Sequence, residues 1–339
     1  MVATRREVAL AASVSLRTVS NVVNGFPGVA PETRERVLKI INDLDYRPSE
    51  IARMLKRGRS GLIALVLPEL DTPYFAELTR AFVELGAARG FTVVIDQTDG
   101  DASRERELIS QTDRGAFFDG LIVSPLGLQA EDLAGISPER PVVFLGEDRH
   151  ARFDQVMIDN FSAARAAVDH LISLGRTRIG VIGAQNAHLA SSSVRLAAYE
   201  RSLLEAGLPV ERSRIAYVDS FRRADGATAM AQLLETELLD GIFCFSDPLA
   251  LGAIRILHER GIRIPDDIAV IGFDDIEDGR FSWPTLSSVS PDKRFIATRA
   301  LDLLSARLDG AHVPPATYLA PWSIVTREST AGSVAASAR

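Results

Sequence analysis

Arg17, Ser20, Asn21 and Asn24 fall on one side of a short stretch whose other side carries Val19, Val22 and Val23. A helix of this kind can bring donors, acceptors and apolar groups to base edges while neighbouring side chains hold phosphates, which is the chemistry of major-groove reading. An ordinary three-helix cap shows the same pattern, so composition and periodicity alone leave both readings open. The residue types that catalyse or hold metals do not recur at working spacings. His150, His170, His188, His258 and His312 show no close ligand spacing with the single cysteine, Cys244, and there is no short zinc signature. Asp274-Asp275-Ile276-Glu277-Asp278 is acidic but lacks the alternating ligands and glycine of a calcium loop. Gly180-Val181-Ile182-Gly183 lacks the full three-glycine dinucleotide pattern and reads as a strand and turn. The expectation is a protein that is not an enzyme and needs no metal or cofactor.

The elements that would position the polar helix are legible. Thr4-Arg5-Arg6-Glu7 forms a candidate capping box, opening a short helix that runs through Ala12. Ser13-Val14-Ser15 allows a turn into the second helix, and Asn24-Gly25-Phe26-Pro27-Gly28 forms the next loop. Pro31 can start a third helix, in which Val37, Ile40, Ile41 and Leu44 share one face. From Pro48-Ser49 to Arg57 a short helical pattern places Ile51, Ala52 and Leu55 against Arg53, Lys56 and Arg57. Alone in water so short a helix is marginal, so it would order against a partner or DNA.

Charge divides the chain in the same place. Residues 1–59 carry eleven Lys/Arg and six Asp/Glu, whereas the whole 339-residue chain has a net charge of -7. The basic segment can meet phosphate while the acidic body is repelled, which favours one orientation on DNA. Beyond Gly58-Arg59-Ser60-Gly61, apolar runs at Leu62–Leu67, Phe91–Ile95, Gly120–Val123, Val142–Leu145, Ile179–Ile182, Ile215–Val218, Gly241–Phe245 and Ile268–Ile271 appear. Between them lie helical candidates at Tyr74–Ala88, Ala163–Leu174, Val194–Ala206, Ala224–Leu234 and Leu249–Arg260. The alternation indicates α/β layers with largely parallel sheets, and counting units leaves a closed barrel open as well. A hydrophobic content of 46% and one cysteine argue against disorder and against a disulfide-stapled scaffold. No apolar run approaches the ~20 residues of a membrane span and no signal-peptide core follows Met1, so the expected location is the cytoplasm, with nucleoid association when bound to DNA.

The sequence resembles the LacI/GalR family of bacterial transcription regulators from about residue 4 to about residue 329. The resemblance rests on Val8-Ala9, Ala12-Ser13-Val14-Ser15, Thr18-Val19-Ser20, Val22-Val23-Asn24-Gly25, Glu32-Thr33-Arg34-Glu35-Arg36-Val37, Tyr46-Arg47-Pro48 and Ala52-Arg53-Met54-Leu55. Further along, Asp247-Pro248-Leu249-Ala250-Leu251-Gly252 and the segment from Gly261 to Asp275 resemble the family's second-lobe effector motifs. The resemblance implies a helix-turn-helix head at 1–47, a hinge helix and linker at 48–60, and a two-lobed, periplasmic-binding-protein-like α/β domain at 61–330. Lobe 1 would span about 61–160 and 292–320, lobe 2 about 161–291 and 321–330, and 331–339 would be a flexible tail.

It also implies double-stranded operator DNA, a small-molecule effector of sugar type and a second copy of the chain as partners, with no membrane. Without a long heptad extension at the C-terminus a homodimer is favoured over a tetramer. The implied DNA-binding residues are Thr4, Ser15, Leu16, Arg17, Thr18, Ser20, Asn21, Asn24, Arg34, Ala52, Leu55 and Lys56, with Leu55 as a minor-groove wedge. Many members carry Arg where this chain has Asn21, and Asn pairs with adenine where Arg favours guanine. Ala30 replaces a common capping Ser, a loss of ~1 kcal/mol. The implied ligand-binding residues are Tyr74, Phe75, Glu147, Arg195, Phe221, Ser246, Asp247 and Asp274. Repression relieved by a sugar is the favoured behaviour; a corepressor-dependent regulator and a solute-binding module are the alternatives.

Overall fold

A computed structural model describes residues 3–23, 25–46, 59–111, 118–128, 130–134, 136–137, 141–146, 152–186, 190–311 and 313–331. The chain divides into two units, Met1–Gly61 and Leu62–Arg339. Asn24, Ala52, Leu55, Lys56 and Glu147, together with the short basic helix expected from Pro48, lie outside the described residues.

The first unit contains α1 (Arg5–Ala11), α2 (Leu16–Val23) and α3 (Pro31–Asp43). Thr4 and Glu7 form the reciprocal capping box at α1, with the Thr4 N–H donating to Glu7 Oε2 at 2.6 Å. Ser13 takes φ +54° between the first two helices, a left-handed turn that redirects the chain within a few residues. Pro31 opens α3, and Ala30 supplies no side-chain cap. Val8, Ala9, Ala12, Val19, Val22, Val37 and Tyr46 close a single small core among the three helices.

The second unit alternates strands and helices. It begins β1 (Leu62–Leu67), α4 (Pro73–Ala88), β2 (Thr92–Gln97), α5 (Ala102–Gln111), β3 (Gly120–Val123), β4 (Val142–Leu145) and β5 (Asp154–Ile158). It continues α6 (Asn160–Ser173), β6 (Ile179–Ala184), α7 (Ala190–Glu205), β7 (Ile215–Tyr217), α8 (Arg223–Thr236), β8 (Gly241–Cys244) and α9 (Asp247–Glu259). The remainder is β9 (Ala269–Phe273), α10 (Glu277–Phe281), β10 (Ser287–Pro291), α11 (Lys293–Leu308), β11 (Thr317–Ala320), β12 (Trp322–Val325) and α12 (Glu328–Ala331).

These strands form two open sheets, in the orders β11-β5-β4-β3-β1-β2 and β12-β10-β9-β8-β6-β7. All pairings among the described residues are parallel except β10 with β12, and the division into two open sheets excludes the closed-barrel alternative. The unbroken apolar run of β1 follows from burial on both faces. Ile63, Leu65 and Leu67 pack under α4 and α11, while Ala64 and Val66 enter the opposite core with Ile109 of α5. In the second lobe α8 and α9 meet at glycines: a Cβ on Gly252 would lie 2.0 Å from Arg223 O, and one on Gly226 2.1 Å from Leu249 O.

The chain crosses between lobes three times, after β5, after β10 and between β11 and β12. The crossings lie side by side. Ile158 pairs with Ala320, Pro291 pairs with Trp322, and the Asp292 N–H donates to Pro321 O at 2.9 Å.

Candidate functional site

In a parallel sheet the loops leaving the C-terminal strand ends face one common side, where they can build a crevice. Both sheets of the second unit turn that edge toward the same space. Pro68 and Glu69 follow β1, Asp99 and Gly100 follow β2, Ser124 follows β3 and Gly146 follows β4. From the other lobe Gln185 follows β6, Asp219 to Phe221 follow β7, Ser246 follows β8 and Asp274 follows β9. Together they line a cavity of about 370 Å³, within the range of small-ligand sites.

Tyr74 and Phe75, at the start of α4, supply apolar wall from lobe 1 with their rings edge to face at 5.2 Å. Phe221 supplies wall from lobe 2. Arg195, on α7, lines the same cavity although it is only 5% exposed. Its Nε donates to Asn160 Oδ1 at 2.8 Å, Nη1 donates to Phe245 O, and its Cζ sits 3.6 Å from the Phe273 ring centroid. The guanidinium is thus fixed before any ligand arrives, which is what positions a donor without an ordering cost at binding.

Asp274 and Asp275 both take positive φ, +108° and +48°, a conformation that L residues enter only under constraint. Lys293, at the start of α11, supplies the constraint: its Nζ donates to Asp274 O at 2.6 Å and to Asp275 O at 3.0 Å. The same ammonium pairs with Glu77 Oε2 at 2.8 Å, and Glu77 Oε1 accepts the Glu277 N–H at 2.8 Å. A lobe 1 helix is thereby tied to the turn that presents Asp274. Burial raises the Asp275 carboxyl, but Arg327 and Ser290 outweigh it and hold the group below its usual range. Across the mouth, Arg222 and Asp71 approach to 3.7 Å on exposed surface.

Six of the eight ligand residues expected from sequence therefore meet at this cavity: Tyr74, Phe75, Arg195, Phe221, Ser246 and Asp274. Ser246 has a second task, accepting the Leu249 N–H to cap α9. Asp247 is a correction. It does not line the cavity but lies fully buried, where its Oδ2 accepts the Ile276 N–H at 2.8 Å and its Oδ1 lies 2.6 Å from Ser288 Oγ. Burial, reinforced by the charge of Asp274, pushes this carboxyl well above the ordinary range. Gly272 leaves room for it, since a Cβ there would fall 2.1 Å from Asp247 Oδ1. Sequence reasoning missed Glu69, Thr72, Asp99, Gln185, Ser191 and Asp219; their position just beyond strand ends or at helix starts was the available signal.

In the head, Val19 and Val22 point into the core while Arg17 is exposed and Ser20 and Asn21 are half-buried. Leu16 is 51% exposed, so it is not spent on local packing. Ser15 Oγ accepts the Thr18 N–H at 3.0 Å and lies 2.9 Å from Thr18 Oγ1, fixing the first turn of α2. Thr4 is engaged with Glu7, and Arg34 Nη2 donates to Phe26 O across the loop before α3. Among the described residues no group of three or more His, Cys, Asp or Glu could hold a metal ion, and no helix is long and apolar enough to cross a membrane.

A helix-turn-helix unit joined in one chain to a two-lobed unit with an interlobe cavity defines a class: DNA-binding regulators that carry a small-molecule receptor. Residues 4–49 match the model of bacterial regulatory proteins of the lacI family, and residues 168–330 match a periplasmic binding protein-like domain. The ribose operon repressor of Halalkalibacterium halodurans is 32% identical over 332 residues, covering 97% of each chain. The lac repressor dimer bound to operator and an anti-inducer superposes with a TM-score of 0.85 at 26% identity, covering 97% of this chain and 99% of that one. The transcriptional regulator CelR in complex with cellobiose gives a TM-score of 0.69 at 29% identity, covering 96% and 99%. The chain belongs to the LacI family of bacterial regulatory proteins. It is a sequence-specific DNA-binding regulator rather than an enzyme, in a family whose members bind operator DNA, form dimers and respond to small-molecule effectors.

Proposed function

We propose that this regulator is a repressor released from a two-fold-symmetric operator when a sugar occupies the interlobe cavity. The observation that carries the reading is the cavity itself: a fixed guanidinium, Arg195, and a carboxyl, Asp274, meet hydroxyl-bearing residues between aromatic walls. Hydroxyl donors and acceptors with one apolar ring face are the chemistry such a lining accommodates. The printed descriptions of the ribose operon repressor and of the CelR–cellobiose complex support a sugar. Arg195, Asp274, Ser246, Tyr74, Phe75 and Phe221 form the proposed contact set.

On the DNA side, Leu16, Arg17, Ser20 and Asn21 read bases, and Thr4, Ser15, Thr18, Asn24 and Arg34 position the head on phosphates. Ala52, Leu55 and Lys56 act in the minor groove. Two copies pair through the second unit, whose edge strand β2 exposes Val94 and Ile95 and whose α10 region exposes Phe281 and Trp283 at 81% and 74%. Exposed apolar surface beside an open sheet edge is the kind a partner covers. Closure on a sugar changes transcription by binding one lobe orientation more tightly than the other.

The test is selection of an operator from random duplexes by the purified protein, followed by titration with sugars, nucleosides and sugar phosphates. A two-fold site whose binding weakens with one sugar supports the reading. Strengthened binding would show a corepressor, and failure to select any sequence would overturn the operator reading.

A further inference from the structure

Phosphorylated ligands in α/β clefts are held by cationic side chains and by the free N–H groups at helix N-termini that follow the strands. Among the described residues the lining of this cavity is weighted toward the opposite charge. Among its described lining residues are four carboxylic side chains, Glu69, Asp99, Asp219 and Asp274, against one guanidinium, Arg195. That guanidinium is already engaged by Asn160 and by the Phe245 carbonyl.

Three helix starts around the cavity are taken by the chain's own carboxylates. At α5 the Asp101 carboxylate accepts the Ser103 and Arg104 N–H groups at 2.7 and 3.2 Å. At α6 Asp159 accepts the Ser162 N–H at 3.1 Å, and at α8 Asp225 accepts the Arg222 N–H at 3.3 Å. At α9 the cap is Ser246, and at α4 no side chain caps the helix, whose first residue, Pro73, has no N–H to offer. Three of these helix starts therefore present negative charge where a phosphate would need positive charge.

We infer that the effector is an uncharged, unphosphorylated sugar and that the carboxylates of the cleft select against sugar phosphates and sugar acids. This rests on the sugar reading above and narrows it. Asp99 and Asp219, exposed on opposite lobes, act at the entrance as specificity-determining residues. At separations near the Debye length, a carboxylate weakens binding of a phosphate dianion by about two- to fivefold.

The experiment is calorimetric titration of the full chain with matched pairs: ribose and ribose 5-phosphate, glucose and glucose 6-phosphate, cellobiose and cellobiose 6-phosphate, glucose and gluconate. The expected result is that the uncharged member of the binding pair is preferred at least about tenfold and that the preference shrinks as salt rises. The double variant Asp99→Asn with Asp219→Asn narrows it by about tenfold. The salt series on the parent protein stands in for the variant if the variant does not fold. Equal or tighter binding of the charged member overturns the inference while leaving the sugar reading intact. A preference that neither salt nor the double variant alters overturns the electrostatic origin. No binding by any pair overturns the sugar reading itself, and the inference with it.

Discussion

Arg195→Lys keeps the charge of the cleft's guanidinium and removes its plane. In the parent that plane donates from Nε to Asn160 at 2.8 Å, from Nη1 to Phe245 O, and lies over the Phe273 ring at 3.6 Å. An ammonium cannot hold two partners and a stacked contact in that geometry. Losing one charge-assisted bond costs about 1.5–3 kcal/mol and losing a desolvated cation–π contact about 1–2 kcal/mol. Since the site is 5% exposed, water does not make up the difference, and unfolding in urea should register a loss of about 3–4 kcal/mol at unchanged m-value. Effector affinity, read as the sugar concentration that halves operator binding, should fall about 10- to 100-fold, equivalent to one charged hydrogen bond at about 1.4 kcal/mol per decade. Asn160→Ala should lose much of the same stability, and the double variant should cost less than the sum, because the two residues share one bond. A lysine variant within about 1 kcal/mol of the parent and with unaltered sugar response would refute the assignment of a preset guanidinium.

Three further outcomes follow from the geometry. Asp247 is held above its usual range by burial and by Asp274, so the native state binds more protons than the unfolded chain as pH rises above about 4, and stability falls with pH through the native value. Asp247→Asn can donate to Ser288 and accept from Ile276, so urea midpoints measured between pH 5 and 8 should lose that slope and exceed the parent's at pH 8. Gly252→Ala should gain about 1 kcal/mol by helix propensity but lose more than about 3 kcal/mol to the 2.0 Å clash with Arg223 O, a net fall visible in thermal melts. Lys293→Met removes the ion pair to Glu77 and both carbonyl contacts of the 274–275 turn, for an expected loss of about 2–3 kcal/mol, whereas Arg80→Ala at the exposed Arg80–Glu84 pair should change urea stability by less than about 0.5 kcal/mol.

Much of this architecture is legible in the sequence wherever burial is signalled by apolar runs. The β1, β3, β4, β6 and β8 stretches announce themselves in this way, and the Thr4–Glu7 box marks the first helix start. Strands β5 and β10 do not. Asp154 and Gln155 open β5, and the aspartate tolerates 3% exposure because Arg307 meets it with two bonds, at 2.6 and 3.1 Å. Ser287 and Ser288 are wholly buried in β10 because Thr330, Arg327 and Asp247 satisfy their hydroxyls. Polar residues paired across a hundred or more positions, or across forty, leave no local pattern to read. The helix starts of α6 and α9 precede the first apolar residue of each periodic run by a few positions, since caps rather than faces set them. Asp247 misled because its neighbour Ser246 lines the cavity; successive residues at a helix start diverge, one toward ligand and the next into the core.

The three crossings between lobes form a flat strap rather than a tether. A single strand linking two bodies would let them swivel, twist and slide, and a ligand would then have to freeze all of those motions. Three strands laid side by side, stitched by the Asp292–Pro321 bond, share bending about one axis and resist the rest. A ligand that drew the two lobes together would thereby work against one soft coordinate, a rotation of fixed direction.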